Sequence, residues 1–329
     1  MAYVAPNLTL KSVILAKSHT AGSFDVDPVP TAAANAMLLN TEVSPVQLDA
    51  QKVDPAYLTG SYTKQDSIIG RKLWTISPQI YLQGNSDPSK PPFFLPLLEA
   101  CGHAVQTTAG PPDNLWTLTP LTEGCRPVAI YHHRSGVLKK MLTCFGTVKF
   151  DFPAGQPAQM TYQLKGLFQS GGPTDVAFPS GTLVLPTPLA RQVAKESLTI
   201  GAYTPRFTNI TFDLAEAVNE RPDGNSTEAL YGTFIGDRTP TCTITIEQET
   251  TLAAFNPYTS LLNVGSYTDI SWVHGVAGGS RCTFDLPDWQ LTDVQEGENN
   301  RLATWILTYK GRGSAPDSEY SIEFAEVSP

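Results

Sequence analysis

Charge is scarce in this chain of 329 residues: Asp, Glu, Lys and Arg make up 16%, and the formal net charge is −9. Basic clusters are absent, Lys139-Lys140 being a pair rather than a patch, which argues against broad binding to a nucleic-acid backbone. Cysteine is sparse too. Cys101, Cys125, Cys144, Cys242 and Cys282 are odd in number, widely spaced and without a CxxC. That usage argues against a disulfide framework and fits a reducing compartment. No apolar run approaches the length of a membrane-spanning helix. The stretch 1–22 has no uninterrupted apolar core, so no signal peptide is expected. The sequons at Asn7, Asn209 and Asn225 are accordingly read as chance matches.

Catalytic signatures are missing as well. There is no P-loop, GxGxxG, HExxH or GxSxG. Cys101-Gly-His103 has the residue types of a thiol–imidazole pair, but side chains two apart at a helix end do not face each other. His132-His133 on a strand point to opposite faces, with no ligand set at metal spacing nearby. Asp25-Val-Asp27 lacks the Gly and Glu of a calcium loop. The carboxylates are scattered, so no acid–base pair is nominated. The chain is read as not an enzyme, with no catalytic, cofactor-binding or metal-binding residue and no cofactor. Trp74, Trp116, Trp272, Trp289 and Trp305 lie in strand-like runs and are assigned to core or subunit packing.

What is present is Gly (25), Pro (27) and many β-branched residues, the composition of short strands and turns. The expected fold is mainly β: two tandem similar β-sandwich or barrel-like domains, each with a short flanking helix. The boundaries read as an N-terminal arm (1–35), a first domain (36–168), a linker (169–197), a second domain (198–312) and a tail (313–329). SIIGRKLWTIS (67–77) returns as TFIGDRTPTCTIT (233–245), so Ile235 follows Ile69 by 166 residues. Downstream of each motif the order repeats: strand, short helix (91–102; 256–265), two strands, hairpin (144–166; 289–311). The hairpins are 145 residues apart and align without gaps, with Thr147/Thr292, Ala158/Ala303, Lys165/Lys310 and Gly166/Gly311 identical. The difference in spacing is about the length of 107–127, read as an insertion in the first half.

The hairpins show one polar and one apolar face. Thr147, Lys149 and Asp151, with Thr161, Gln163 and Lys165, form the polar face of the first. Thr292, Glu296, Thr308 and Lys310 form that of the second, with Val294 and Ile306 as exceptions to the alternation. Such a face suits an ordinary solvated sheet or the wall of an aqueous channel. Each Ile-Gly motif is preceded by a long polar stretch (50–66; 215–232), and loops of that length carry a function.

Over most of its length the sequence resembles the tail tube (major tail) proteins of long-tailed bacteriophages, in their duplicated form. The resemblance rests on PTAAANAML (30–38), GRKLWTISPQIYL, PPFFLPLLEACGHAV (91–105) and RPVAIYHHRSGVLKKMLTCFGTVKFDFPAGQPAQMTYQLKGLF. It implies a virion structural protein, assembled in the host bacterial cytoplasm. Homotrimeric, pseudo-hexameric rings would stack into a tube, through which DNA passes non-specifically during ejection. The polar hairpin residues would face the lumen. The long stretches would stack rings, through Asp54, Tyr57, Tyr62 and Lys64 and through Glu220, Arg221, Asp223 and Glu228. The arm and tail would bridge subunits, and 107–127 would face outward or mark alternate ring positions. Implied partners are further copies of the chain, a tape-measure protein and tail-tip and tail-terminator proteins, with no membrane insertion. A contractile-tail or secretion-system tube shares these features. A tandem β-sandwich adhesin or carbohydrate-binding module is the alternative from another class.

Overall fold

The computed structural model describes residues 12–39, 45–55, 66–85, 90–108, 114–185, 188–190, 193–194, 196–253, 255–263, 265–275 and 281–325. The protein is mainly β. Strands β1 (Ser12–Ser18), β2 (Gln47–Val53), β3 (Ile68–Ile76), β4 (Gln79–Tyr81) and β5 (Gln83–Asn85) precede helix α1 (Leu95–Glu99). Then come β6 (His103–Thr108), β7 (Leu115–Pro120), β8 (Val128–Arg134), β9 (Val137–Pro153) and β10 (Gln159–Phe168). The short β11 (Thr174–Asp175) and β12 (Pro188–Ala190) lead to β13 (Ser197–Ile200), β14 (Phe207–Asp213), β15 (Glu216–Pro222), β16 (Leu230–Arg238) and β17 (Thr241–Glu247). Helix α2 (Pro257–Leu262), β18 (Thr268–His274), β19 (Arg281–Asn299), β20 (Leu302–Lys310) and β21 (Ser321–Ala325) complete the order.

Local chemistry accounts for these elements. Both helices have Pro in the first turn, where its missing N–H costs nothing, and the Asn256 side chain caps α2 by accepting from the Tyr258 N–H. After them come Gly102 and Gly265, with φ +69° and +86°, values that only glycine takes freely. The strands alternate: in β17, Cys242, Ile244 and Ile246 are buried and the residues between them are not.

A broad antiparallel sheet runs in spatial order β2, β3 with β4, β10, β9, β14, β17, β20, β19. The β9–β14 pairing, Lys149 opposite Asp213 and Asp151 opposite Thr211, makes it continuous across the two halves. A second sheet runs β13, β18, β19, β21, β7, β6. The strand β19 serves both sheets, and β9 likewise joins the broad sheet to β8 and β1. Each long strand carries one residue in the left-handed region near its middle, Thr143 (φ 50°) and Asp288 (φ 57°), 145 residues apart.

The repeat extends to strand register at two pairings. Lys165 opposes Thr75 as Lys310 opposes Thr241, and Ala50 opposes Lys72 as Glu216 opposes Arg238. A bulge follows the latter pair in both halves, and Gly70 and Gly236 lie within it. That is why the Ile-Gly pair recurs. The halves nevertheless share one core. Phe150 and Phe152 of β9 pack edge-on against Phe284 of β19, with ring centroids 5.1 and 5.3 Å apart, and Trp272 stacks on Phe284 at 4.6 Å.

Three segments set apart in the sequence find strand partners within the chain. Of the segment 107–127, Leu115–Pro120 form β7. This strand lies between β6 and β21 with Trp116 and Leu118 buried, so it fills a place in the second sheet. In the tail, β21 is paired on both edges within its own chain, with Ile322 and Phe324 buried. In the N-terminal arm, β1 pairs with β8.

Candidate assembly surface

The apolar side of the broad sheet lies on the core, and its other side presents the polar residues of every strand. The register brings five of the expected lumen residues together on it: Thr147 and Lys149 of β9 stand beside Gln163 and Thr161 of β10, and Asp151 stands beside Gln159, which was not among those expected. Lys165 joins them next to Thr75, while Thr308 and Lys310 continue the face beside Thr243 and Thr241. Asp151 accepts hydrogen bonds from Thr211 Oγ1 (2.9 Å) and Asn209 Nδ2 (3.2 Å), which order the middle of the face.

Thr292 and Glu296 depart from expectation. Leu291 opposes Tyr309 and Asp293 opposes Thr308, so Thr292 is the extra residue of a bulge and its hydroxyl donates to the Thr308 carbonyl. Beyond the bulge the alternation shifts by one. Glu296 then opposes buried Trp305, lies on the other side of the sheet and accepts from Tyr258 of α2 (2.8 Å). Asp293 and Gln295 take the outward places. Val294, an exception in the ungapped alignment, faces inward with Leu307 and packs on the core. Among the described residues the outward charges include Lys149, Lys165 and Lys310 with Asp49, Asp151, Asp213, Asp293 and Glu247.

The second long stretch is an ordered hairpin arm, β15 with β16, rather than a free loop. It folds back across β9 and β10 of its own chain. Thr233 Oγ1 donates to the carbonyls of Thr143 (3.0 Å) and Lys165 (3.4 Å), and the Glu216 N–H donates to Thr147 Oγ1. Glu220 is paired with Arg71, and Glu228 with Lys72 at 3.2 Å. Arg221 stacks over Tyr231, and the Asp223 side chain accepts from the Asn225 N–H in the turn. Two of the four expected stacking residues are thus engaged in ion pairs within the chain.

The first arm, β2 with the start of β3, has the same register. Among the described residues its apolar side chains Leu48, Val53, Ile68 and Ile69 are all exposed. Asp54 lies at its end and accepts from Ser67 Oγ (2.5 Å). Tyr57, Tyr62 and Lys64 lie outside the described residues.

At the root of the second arm, Glu216 is 5% exposed, and among the described residues neither carboxylate oxygen has a hydrogen-bond partner. The carboxyl rests against Gly102, among Cys101, Cys125 and Tyr320. Burial pushes it up to about 9, against the opposing pull of Arg238. The folded chain keeps a proton that the unfolded chain loses near the ordinary value of 4.5. This stabilisation is complete below that value and is lost as pH rises through about 9. Glu216→Gln is therefore expected to stabilise the protein by about 2–4 kcal/mol at pH 8 and to change little near pH 4.5. Urea midpoints at the two pH values read this directly; equal midpoints at pH 8 would mean that the carboxylate is ionised at no cost.

The other titratable groups singled out have structural surroundings. The Cys101 thiol is fully buried and pushed well up by that burial. His103 is pushed down to about 4 by burial, and its ring joins the Leu98 carbonyl (2.7 Å) to the Tyr320 hydroxyl (3.1 Å). His132 is likewise held neutral by burial and lies 2.9 Å from Ser12 Oγ. All five tryptophans are buried except for small edges of Trp74 and Trp116. No protein-family model matches the chain, and no curated protein matches it in sequence.

Proposed function

We propose that this chain is a structural subunit of a phage tail tube, acting by assembly. One observation carries the reading: a continuous eight-stranded sheet, built from both halves in matching register, with its apolar side on the core and its polar side outward. Among the described strands, β2 pairs only with β3, and residues 293–299 of β19 only with β20, so the sheet has an open edge at each end. Head-to-tail association of copies through such edges closes a ring when the rotation is right. A repeated unit gives three chains six similar positions. The polar face then lines the lumen. Its lysines are offset by neighbouring carboxylates, and Lys149 stands opposite Asp213. A wall of mixed charge neutralises few phosphates, so DNA slides without being held. Tape-measure and tail-tip proteins are the further partners this reading calls for.

Negative-stain electron microscopy of the concentrated protein tests it. Hollow tubes or stacked rings with threefold or pseudo-sixfold end views are the expected result. Particles that stay dispersed even with tail-tip and tape-measure proteins present would overturn the reading.

A further inference from the structure

We infer that the first hairpin arm of one copy seats on the second half of another copy, with Ile69 against the end of helix α2. The template lies within the chain. The second arm sits on the first half, and several parts of that contact have counterparts in the other half of the repeat. Thr233 reaches the Thr143 and Lys165 carbonyls; Ser67 stands 166 residues before Thr233, and Asp288 and Lys310 stand 145 after Thr143 and Lys165. Thr143 and Asp288 share a left-handed backbone, and the Thr143 carbonyl is the one that Thr233 reaches. Ile235 packs at Gly102, which follows α1; a Cβ there would lie 3.1 Å from its Cδ1. Its counterpart Ile69 is 57% exposed, and Gly265 follows α2 as Gly102 follows α1.

Both sides of the missing contact are apolar and uncovered. Beside Gly265, Leu262 is 80% exposed and Tyr267 41% exposed under the Arg312 guanidinium. The arm brings Ile68 and Ile69, also exposed. A single isolated leucine on a surface needs no explanation, but two uncovered patches at positions related by an internal repeat do. Within one chain the second arm already occupies the first seat, so the first arm and the second seat are left for different copies. The ion pairs are not repeated, because Asp237 replaces Arg71 in the seat. Lys310 and Arg312 flank it instead, and the arm carries Asp54. The contact is heterologous, arm to seat, which is the kind that builds rings. This deepens the tube reading and rests on self-association, though not on stacking.

Sedimentation velocity on Ile69→Asp, Leu262→Asp and their equimolar mixture tests it. Each variant alone should stay monomeric where wild type associates, a loss of at least about tenfold in affinity. The mixture should form a dimer and nothing larger, because one intact arm meets one intact seat. Both positions are exposed, and circular dichroism spectra matching wild type, with Ile69→Val and Leu262→Met associating normally, exclude misfolding. Either Asp variant associating like wild type, a mixture that stays monomeric, or wild type that never associates would overturn the inference. Rings indifferent to both substitutions would sink the arm contact and spare the tube reading. Arm-dependent oligomers that never form rings would do the reverse.

Discussion

Phe284→Ala is expected to destabilise the whole chain by about 3–5 kcal/mol, in a single unfolding transition. The ring is fully buried and touches Phe150 and Phe152 of the first half as well as Phe212 and Trp272 of the second. Its removal leaves a cavity that the surrounding aromatic rings, fixed by both sheets, do not collapse into. The β9–β14 ladder couples the halves further, so loss on one side is felt on the other. Urea denaturation followed by tryptophan fluorescence and far-ultraviolet circular dichroism checks both claims. Two separated transitions, with only one moved by the substitution, would show that the halves unfold independently.

Gly166→Val should cost about 3 kcal/mol or more, and Gly311→Val a similar amount. A Cβ on Gly166 would lie 2.2 Å from the buried Cys144 sulfur and 3.1 Å from the Leu142 carbonyl. On Gly311 it would lie 2.5 Å from Pro240 Cγ and 3.0 Å from the Trp289 ring. Neither neighbour is a flexible surface side chain, so the strands themselves have to part. Soluble yield and thermal midpoint of the two variants read the effect; wild-type midpoints would mean that the strands part freely. The same pair explains an identity seen in the sequence: Lys165-Gly166 and Lys310-Gly311 match because each hairpin's return strand passes close to a packed neighbour.

Much of the architecture was legible in the residues. Period-two alternation gave the hairpins, Pro and Gly bracketed both helices, and the spacings of 166 and 145 reappear as strand register. The bulge at Thr292 was not legible. It adds one residue to the strand, and the tighter turn at Asn300-Arg301, both with positive φ, takes one away. The two hairpins therefore keep equal length while the face alternation slips, which misplaced Glu296. The place of β7 was hidden for a different reason. A strand read as an insertion has its partner, β21, at the far end of the chain, and nothing local announces such a pairing. The folding of the second arm onto β9 and β10 depends on Thr233 meeting main-chain carbonyls, which carry no side-chain signature.

The pairing of β7 with β21, Leu118 opposite Ile322, also bears on how quickly the chain reaches this state. Contacts between residues so far apart in sequence require a large loop to close before they contribute any stability, and domains dominated by them fold in milliseconds to seconds rather than microseconds. Until that closure, the flank of β19 that β21 covers is open alongside the uncovered rims of the broad sheet. Refolding is therefore a race between completing the second sheet and pairing with a neighbouring molecule. Dilution and low temperature should favour the native product, whereas high concentration early in refolding should divert the chain into aggregates with no tubular order.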